Sequence, residues 1–290
     1  MTAGSPSKRV RLGAVGYLNA RPLVYGLERS PRFDVRYDVP SECARLLHAH
    51  EIDVGLIPSI EYLRGAPYAI VPDLAIASRG PVASVAIFTT KPIREVTSIA
   101  LDTSSRTSVA LVSVLCARRF RIQPRLESFG PDLGEMLAHC DAALVIGDNA
   151  LFLSTIVDES IVDKSAIRNP QSAIEKLDLG EAWTELTGLP FVWAFWAGRP
   201  DALCAADVEA LQRARDEGVR RPEELARQYL AGAPERQEAG ARYLRQNIQY
   251  YLGSEELEGL RTFYRYAAEL GLAAFEGALN FYHAEYSGAD

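Results

Sequence analysis

Little in this sequence would tie it to an oxidised frame, a membrane or a nucleic acid. It carries 4 cysteines in 290 residues, and Cys43, Cys116, Cys140 and Cys204 are scattered with no C-x-x-C spacing. That pattern excludes a disulfide framework and a zinc-ribbon site, and it suits reduced, mostly buried thiols in a reducing compartment. No apolar run approaches the roughly 20 residues of a membrane-spanning helix. The leading segment MTAGSPSKRV is polar with no apolar region behind it, so no secretory signal is expected and the expected location is the cytoplasm. Basic residues are in the minority: 31 Lys and Arg against 38 Asp and Glu leave a net charge of −7. Phosphate backbones select basic surfaces, so neither a nucleic acid nor a membrane is expected as a partner.

Absent motifs narrow the chemistry further. There is no G-x-G-x-x-G (the GAVG near the start has the wrong spacing), no Walker loop and no G-x-S-x-G elbow. The histidines are His48, His50, His139 and His283; His48 and His50 stand two apart on an expected helix, face different ways, and read as surface residues rather than a metal pair. No metal and no cofactor are expected. No helix-turn-helix or basic DNA-facing segment marks a regulator.

What is present is a globular chain, 48% apolar and 24% charged, long enough for two lobes. From Arg9 to about Asn149, short β-rich runs alternate with helical stretches. VRLGAVGY reads as a strand, Pro22–Arg29 as a short helix, FDVRYDV as a strand, and SECARLLHAHE as a helix capped by Ser41. Further strands are DVGLIPS, YAIVPDLAIAS, VASVAIFTT, SIALD, QPRLESF and AALVIGD, with helices over Thr107–Phe120 and around Asp132–His139. PFVWAFWAG then precedes a helix-rich tail, in which Pro222 opens one helix and Ser254 caps another. Such alternation marks an α/β fold with mixed, mainly parallel sheets flanked by helices. VASVAIFTT and PFVWAFWAG stand where a chain would leave one lobe and return. The expected division is therefore a discontinuous first lobe (1–90 and 195–290) and a second lobe (91–194), with a ligand cleft between them.

Four expected strand ends share one chemistry. Each offers small polar groups just before a helix: Tyr17 and Asn19 in GYLNARP, Ser59 in LIPSIEY, DTSSRTS from Thr103 to Ser108, and Asp148-Asn149 in VIGDNAL. Ligands of open α/β sheets gather outside the carboxyl ends of strands, where helix N-termini expose unpaired N–H groups. Taken alone each loop is an ordinary cap; taken together they describe a cradle for an anion. In the 103–108 segment five of the six residues carry hydroxyls and the sixth, Arg106, is a cation able to clasp a carboxylate. SRGPVASV adds Ser78 and Ser84 at the crossing between lobes, a turn and edge strand on its simplest account. Glu61 and Asp148 are the acids expected near the cleft; Asp148 is either a cap or an acid, base or orienting partner. The aromatic run FVWAFWAG reads as core.

These residues resemble a known family. GYLNARPL, DVGLIPSIEY, SRGPVASV, TSSRTSVALV and ALVIGDNAL follow in the order and spacing of the chorismate dehydratases of the futalosine route to menaquinone, from about Val10 to Trp196. The resemblance implies a two-lobed, type II periplasmic-binding-protein-like fold used by a cytoplasmic lyase. It implies a small dicarboxylate substrate, chorismate, converted without a cofactor to 3-[(1-carboxyvinyl)oxy]benzoate. Carried over to this chain, Asn19 and Ser84 stand closest to the chemistry. Ser59 and the Ser104, Ser105, Arg106, Thr107 and Ser108 loop hold carboxylates, and Tyr17, Ser78 and Asp148 complete the set. The sister enzyme of the same route, which cleaves cyclic dehypoxanthinylfutalosine, differs at the first turn, where a Ser-Pro-Cys-Pro-Asn type sequence replaces GYLNARP. A solute receptor for a small carboxylate is the other alternative, since a fold does not fix a function. Oligomeric state is not legible in the sequence.

Overall fold

The computed structural model describes residues 9–153 and 174–282; residues 1–8, residues 154–173 of the expected second lobe and residues 283–290, His283 among them, lie outside these. Strand β1 (Val10–Val15) pairs in parallel with both β2 (Phe33–Asp38) and β3 (Val54–Pro58). The helix α1 (Pro40–His48) makes the crossover between β2 and β3. β3 reads VGLIP and is buried throughout, as a strand covered on both faces must be. Ser41 does not cap α1. Val39 holds the cap position, Pro40 starts the first turn, where its missing N–H leaves no bond unmade, and the Ser41 N–H donates to the Ser104 carbonyl at 3.0 Å.

YAIVPDLAIAS divides into β4 (Ala69–Ile70) and β5 (Ile76–Ser78) instead of forming one strand, because Pro72 and Asp73, the latter at φ 62°, turn the chain between them. Both short strands pair with β11 (Phe191–Gly198), which is buried along its whole length and runs antiparallel to β3. The first sheet therefore has the order β2-β1-β3-β11-β4, with β5 also on β11.

Among the described residues the second sheet has five strands. β6 (Val85–Thr89) runs antiparallel to β9 (Ala142–Ile146) and to β10 (Glu175–Asp178). β7 (Ser98–Asp102) runs parallel to β9 and to the edge strand β8 (Arg125–Phe129). Because β6 lies in the second sheet and β11 in the first, the chain crosses at 79–84 and at 188–190. The sequence boundaries at 90 and 195 fall after the one crossing and inside the returning strand. Helix α2 (Arg106–Leu115) follows β7 and gives way to a single π turn at Cys116–Phe120, so the expected helix to Phe120 is not one regular α-helix. α3 (Leu133–His139) is capped by Asp132, whose carboxylate accepts the Glu135 N–H at 2.9 Å. α4 (Gly147–Leu153) follows β9 directly, and α5 (Leu179–Thr187) follows β10.

The tail consists of α6 (Ala205–Gly218), α7 (Pro222–Tyr229), α8 (Gln237–Gln246) and α9 (Ser254–Glu269). Gly253, not Ser254, caps α9, its N–H bonded to Glu256 at 3.0 Å. The tail matters because α6, α7 and α8 all pack on the 3₁₀ turn Leu18–Val24 that follows β1. Leu18 and Leu23 are wholly buried beneath them, and each such side chain contributes roughly 1.5–3 kcal/mol. The guanidinium of Arg21 lies between the rings of Tyr37 and Tyr229, 4.6 and 4.8 Å from their centres. A turn that would fray alone is thus clasped from outside, and it carries Asn19. No helix among the described residues is long and apolar enough to cross a membrane.

Candidate active site

A cavity of about 40 Å³ lies between the sheets, at the carboxyl ends of β1, β3 and β9. The turn after β1 supplies Tyr17 and Asn19, the crossing segment supplies Ser84, and the start of α2 supplies Ser105 and Ser108. Pro40, Pro58, Ile76 and Trp193 form apolar wall. Gly147 closes one side at φ 65°, where a Cβ would stand 3.0 Å from the Tyr17 ring, so only glycine lets that ring approach. Among the described residues no Asp, Glu, His, Lys or Arg lines the space.

The polar groups here are uncharged and partly unspent. The Asn19 side-chain oxygen is buried and accepts no hydrogen bond from any described residue. Burying an amide oxygen unpaired costs about 1–3 kcal/mol, so this atom is set out for a donor the protein does not supply. Ser84 Oγ accepts from the hydroxyl of Tyr243 on α8 at 2.7 Å. Burial, partly offset by that bond, pushes the Tyr243 hydroxyl far above its ordinary range, so it remains a donor. Ser108 donates to Ser105 Oγ at 3.1 Å, which leaves the Ser105 proton for the cavity beside the open end of α2. Burial also raises the Tyr17 hydroxyl, and it donates to Ser104 at 3.4 Å.

Five of the eleven residues singled out from the sequence therefore line one hollow, and six do not. Ser59 donates to the Val192 carbonyl at 2.8 Å, and Thr107 Oγ1 accepts the Ile60 N–H at 3.1 Å. Ser78 accepts from the indole of Trp193 at 3.0 Å and sits behind it. Ser104 caps its own turn, its N–H and hydroxyl both bonded to Asp102 at 3.0 and 2.5 Å. Arg106 turns away from the cavity and pairs with Glu61 at 2.9 Å. Asp148 stands in the first turn of α4 rather than ending a strand; one oxygen accepts the Leu18 N–H at 3.3 Å and the other the Tyr229 hydroxyl. Burial raises the Asp148 carboxyl above its usual range, with the Tyr229 and Leu18 bonds pulling the other way.

Most of these six are joints. Asp148 to Leu18, Thr107 to Ile60, Arg106 to Glu61, Tyr17 to Ser104 and Ser41 to the Ser104 carbonyl all bond elements of one sheet to elements of the other. These bonds tie the two sheets together around the cavity. His48, expected on the surface, belongs to the same seam: its Nδ1 meets the Tyr68 hydroxyl at 2.9 Å and its Nε2 meets Glu61 at 3.1 Å. One neutral tautomer satisfies both, Nδ1 accepting and Nε2–H donating. Tyr243 and Trp193 escaped the sequence, since a tyrosine and a tryptophan at core spacing carry no mark of what they touch. Among the described residues no three His, Cys, Asp or Glu converge as a metal site.

Comparison with known proteins bears on this arrangement. Residues 10–269 match the family described as menaquinone biosynthesis. A chorismate dehydratase of Thermus thermophilus is 34% identical over 282 residues, covering 92% of this chain and 94% of that protein. A chorismate dehydratase of Campylobacter jejuni is 30% identical over 189 residues, 63% of this chain and 64% of that one. Among solved structures, a protein of Archaeoglobus fulgidus superposes with a TM-score of 0.71 at 17% identity, covering 92% of this chain and all of that one (100%). An alkanesulfonate-binding protein of Xanthomonas axonopodis bound to MOPS superposes with a TM-score of 0.63 at 14% identity, over 94% of this chain and 96% of that one. These structural likenesses establish a periplasmic-binding-protein-like fold.

Proposed function

The chain belongs to the menaquinone biosynthesis family, and from that premise we propose that it is an enzyme, a lyase that dehydrates chorismate to 3-[(1-carboxyvinyl)oxy]benzoate. The observation that carries the proposal is a cavity lined by hydroxyls and one orphaned amide oxygen, with no carboxylate, imidazole or ammonium among the described residues of its wall. A site without a strong base suits a reaction whose driving force is internal to the substrate. The C3 hydrogen of chorismate is acidified through the ring diene by its carboxylate, and expulsion of the C4 hydroxyl makes the ring aromatic.

In this mechanism the Ser105–Ser108 turn, with the free N–H groups of α2, holds one carboxylate. The unpaired Asn19 oxygen accepts from the C4 hydroxyl. Ser84, its oxygen already bonded by Tyr243, donates its proton to the enolpyruvyl carboxylate and holds that group over C3. The carboxylate removes the C3 proton. The C–H electron pair becomes the C3–C4 π bond, the C4–O bond breaks, and the departing oxygen recovers the proton to leave as water. The protein supplies geometry, fixed donors and exclusion of water. A cavity of about 40 Å³ is far below the roughly 300–1,000 Å³ typical of ligand sites, so the lobes open to admit substrate and close over it. Purified protein mixed with chorismate is expected to replace the cyclohexadiene absorbance with that of a substituted benzoate. Bound but unchanged chorismate would make the chain a receptor, and absence of both binding and change would overturn the assignment.

A further inference from the structure

Ser84 is delivered to the cavity by an unusual piece of backbone. The Ser84 N–H donates to the Val82 carbonyl at 2.8 Å, an i+2 to i bond, and the central residue Ala83 has φ 64°. A γ-turn with positive central φ is rare and strained, more so on a residue with a Cβ. Strain of this kind persists only where neighbours over-determine it. Here they do. Asp178, at the end of β10, accepts the Val82 N–H at 3.0 Å and the Ala83 N–H at 2.6 Å. Lys176 on the same strand donates to the Ala83 carbonyl at 2.9 Å and to the Ala150 carbonyl at 3.2 Å. The Gly147 N–H donates to the Ser84 carbonyl at 2.8 Å, and Tyr243 donates to its hydroxyl at 2.7 Å.

Every hydrogen-bonding group of the turn is thereby assigned except one, the Ser84 hydroxyl proton. The Tyr243 hydroxyl donates to Ser84 Oγ, and among the described residues no group accepts the serine's own proton. We infer that Tyr243, Asp178 and Lys176 are positioning residues that fix Ser84 as a hydrogen-bond donor of one direction, aimed at the substrate carboxylate. The inference rests on the dehydratase reading for its chemistry, but the geometry it invokes is measurable without turnover. None of the three residues touches the cavity. Asp178 also caps α5 through the Gly180 and Glu181 N–H groups, so one carboxylate ties the turn to a helix start. Tyr243 comes from the tail, so the tail reaches the chemistry twice, by clasping the Asn19 turn and by directing Ser84.

The test is a double-mutant cycle on the full chain. Tyr243→Phe is expected to lower kcat about tenfold with KM changed less than about twofold, and most of that loss is expected to vanish when Ser84 is already Ala, the remainder reporting the hydroxyl's second neighbour, the Asn19 side chain. Lys176→Met is expected to behave alike with a smaller loss. Equal losses of kcat in the Ser84 and Ser84→Ala backgrounds would show a merely structural tyrosine and overturn the inference. If the parent protein leaves chorismate unchanged, the functional reading fails on its own, and the crystal structure of Tyr243→Phe decides the positioning role. Several Ser84 rotamers would sustain it; the parent rotamer retained alone would end it.

Discussion

Two segments reach the cavity from opposite sides, and they invert what their sequences promise. The 103–108 loop, with five hydroxyls and an arginine, looks like a binding loop. The 79–84 crossing, with Gly80, Pro81, Val82 and Ala83 ahead of Ser84, looks like a connector. In the folded chain the rich loop spends most of its groups on the protein. Ser104 holds its own turn, Thr107 bonds the Ile60 N–H, and Arg106 joins Glu61; only Ser105 and Ser108 face the cavity. The plain segment delivers one serine with a directed proton. What distinguishes a ligand-binding hydroxyl is the bond its own fold leaves unmade, and composition does not record that.

The sharpest way to break this contrast is to remove one group from each kind of place. Asn19→Ala and Ser84→Ala each take a preorganised contact from the reacting end of the substrate, and a loss on the order of 10²–10³ in kcat is expected for each. Thr107→Val keeps the shape of a residue equally buried but strands the Ile60 N–H; about 1–3 kcal/mol of stability should go, read as a lower denaturation midpoint at unchanged slope, with kcat within about threefold of the parent. A Thr107→Val enzyme that is stable but slow would return the loop to the chemistry. Arg106→Gln sharpens the same contrast at smaller amplitude. A guanidinium holding the substrate carboxylate would raise KM more than about tenfold on removal, whereas one turned to Glu61 should leave KM within about twofold.

The sequence made the frame legible because the frame follows from periodicity. Buried β3, β9 and β11 are continuous apolar runs, as is β1 from Leu12 onward, and the α2 and α3 helices carry the expected spacing. The errors fall where tertiary contact outvotes local signal. β10 is four half-exposed residues that become a strand only by pairing with β6, and α8 has no cap to announce it. At the site, Tyr17, Asn19, Ser84, Ser105 and Ser108 were legible as polar groups at strand ends. Thr107 and Asp148 carry the same signal and serve the seam between the sheets, because a helix start needs partners whether or not a ligand comes, and Ser59 and Ser78 bond β11 within their own sheet. Tyr243 acts through a bond to a residue 159 positions away, which no local pattern encodes.

The seam also separates the two segments by pH. Glu61 is wholly buried, and although burial alone would raise its carboxyl, His48, Arg106 and Arg64 hold it below the usual carboxylate range. Its contribution to stability is complete above the ordinary glutamate value near 4.5 and is lost as pH falls through the depressed folded value. Protonation there frees Arg106 and loosens the 103–108 side of the cleft. The 82–84 side leans on Tyr243, whose raised hydroxyl does not titrate in acid, and on Lys176 as well as on the Asp178 carboxylate, so two of its three braces are bonds that acid leaves in place. Acid should therefore open the molecule from the loop side first. Replacing Glu61 by Gln is expected to lower the melting temperature by a few degrees at neutral pH, a gap that narrows as pH falls below the ordinary glutamate value toward the depressed folded one. Hydrogen exchange at moderately acid pH should rise at residues 103–108 before it rises at 82–84. The reverse order would place the weaker joint in the strained turn, and the strain would then be a cost to the closed state without a brace to hold it.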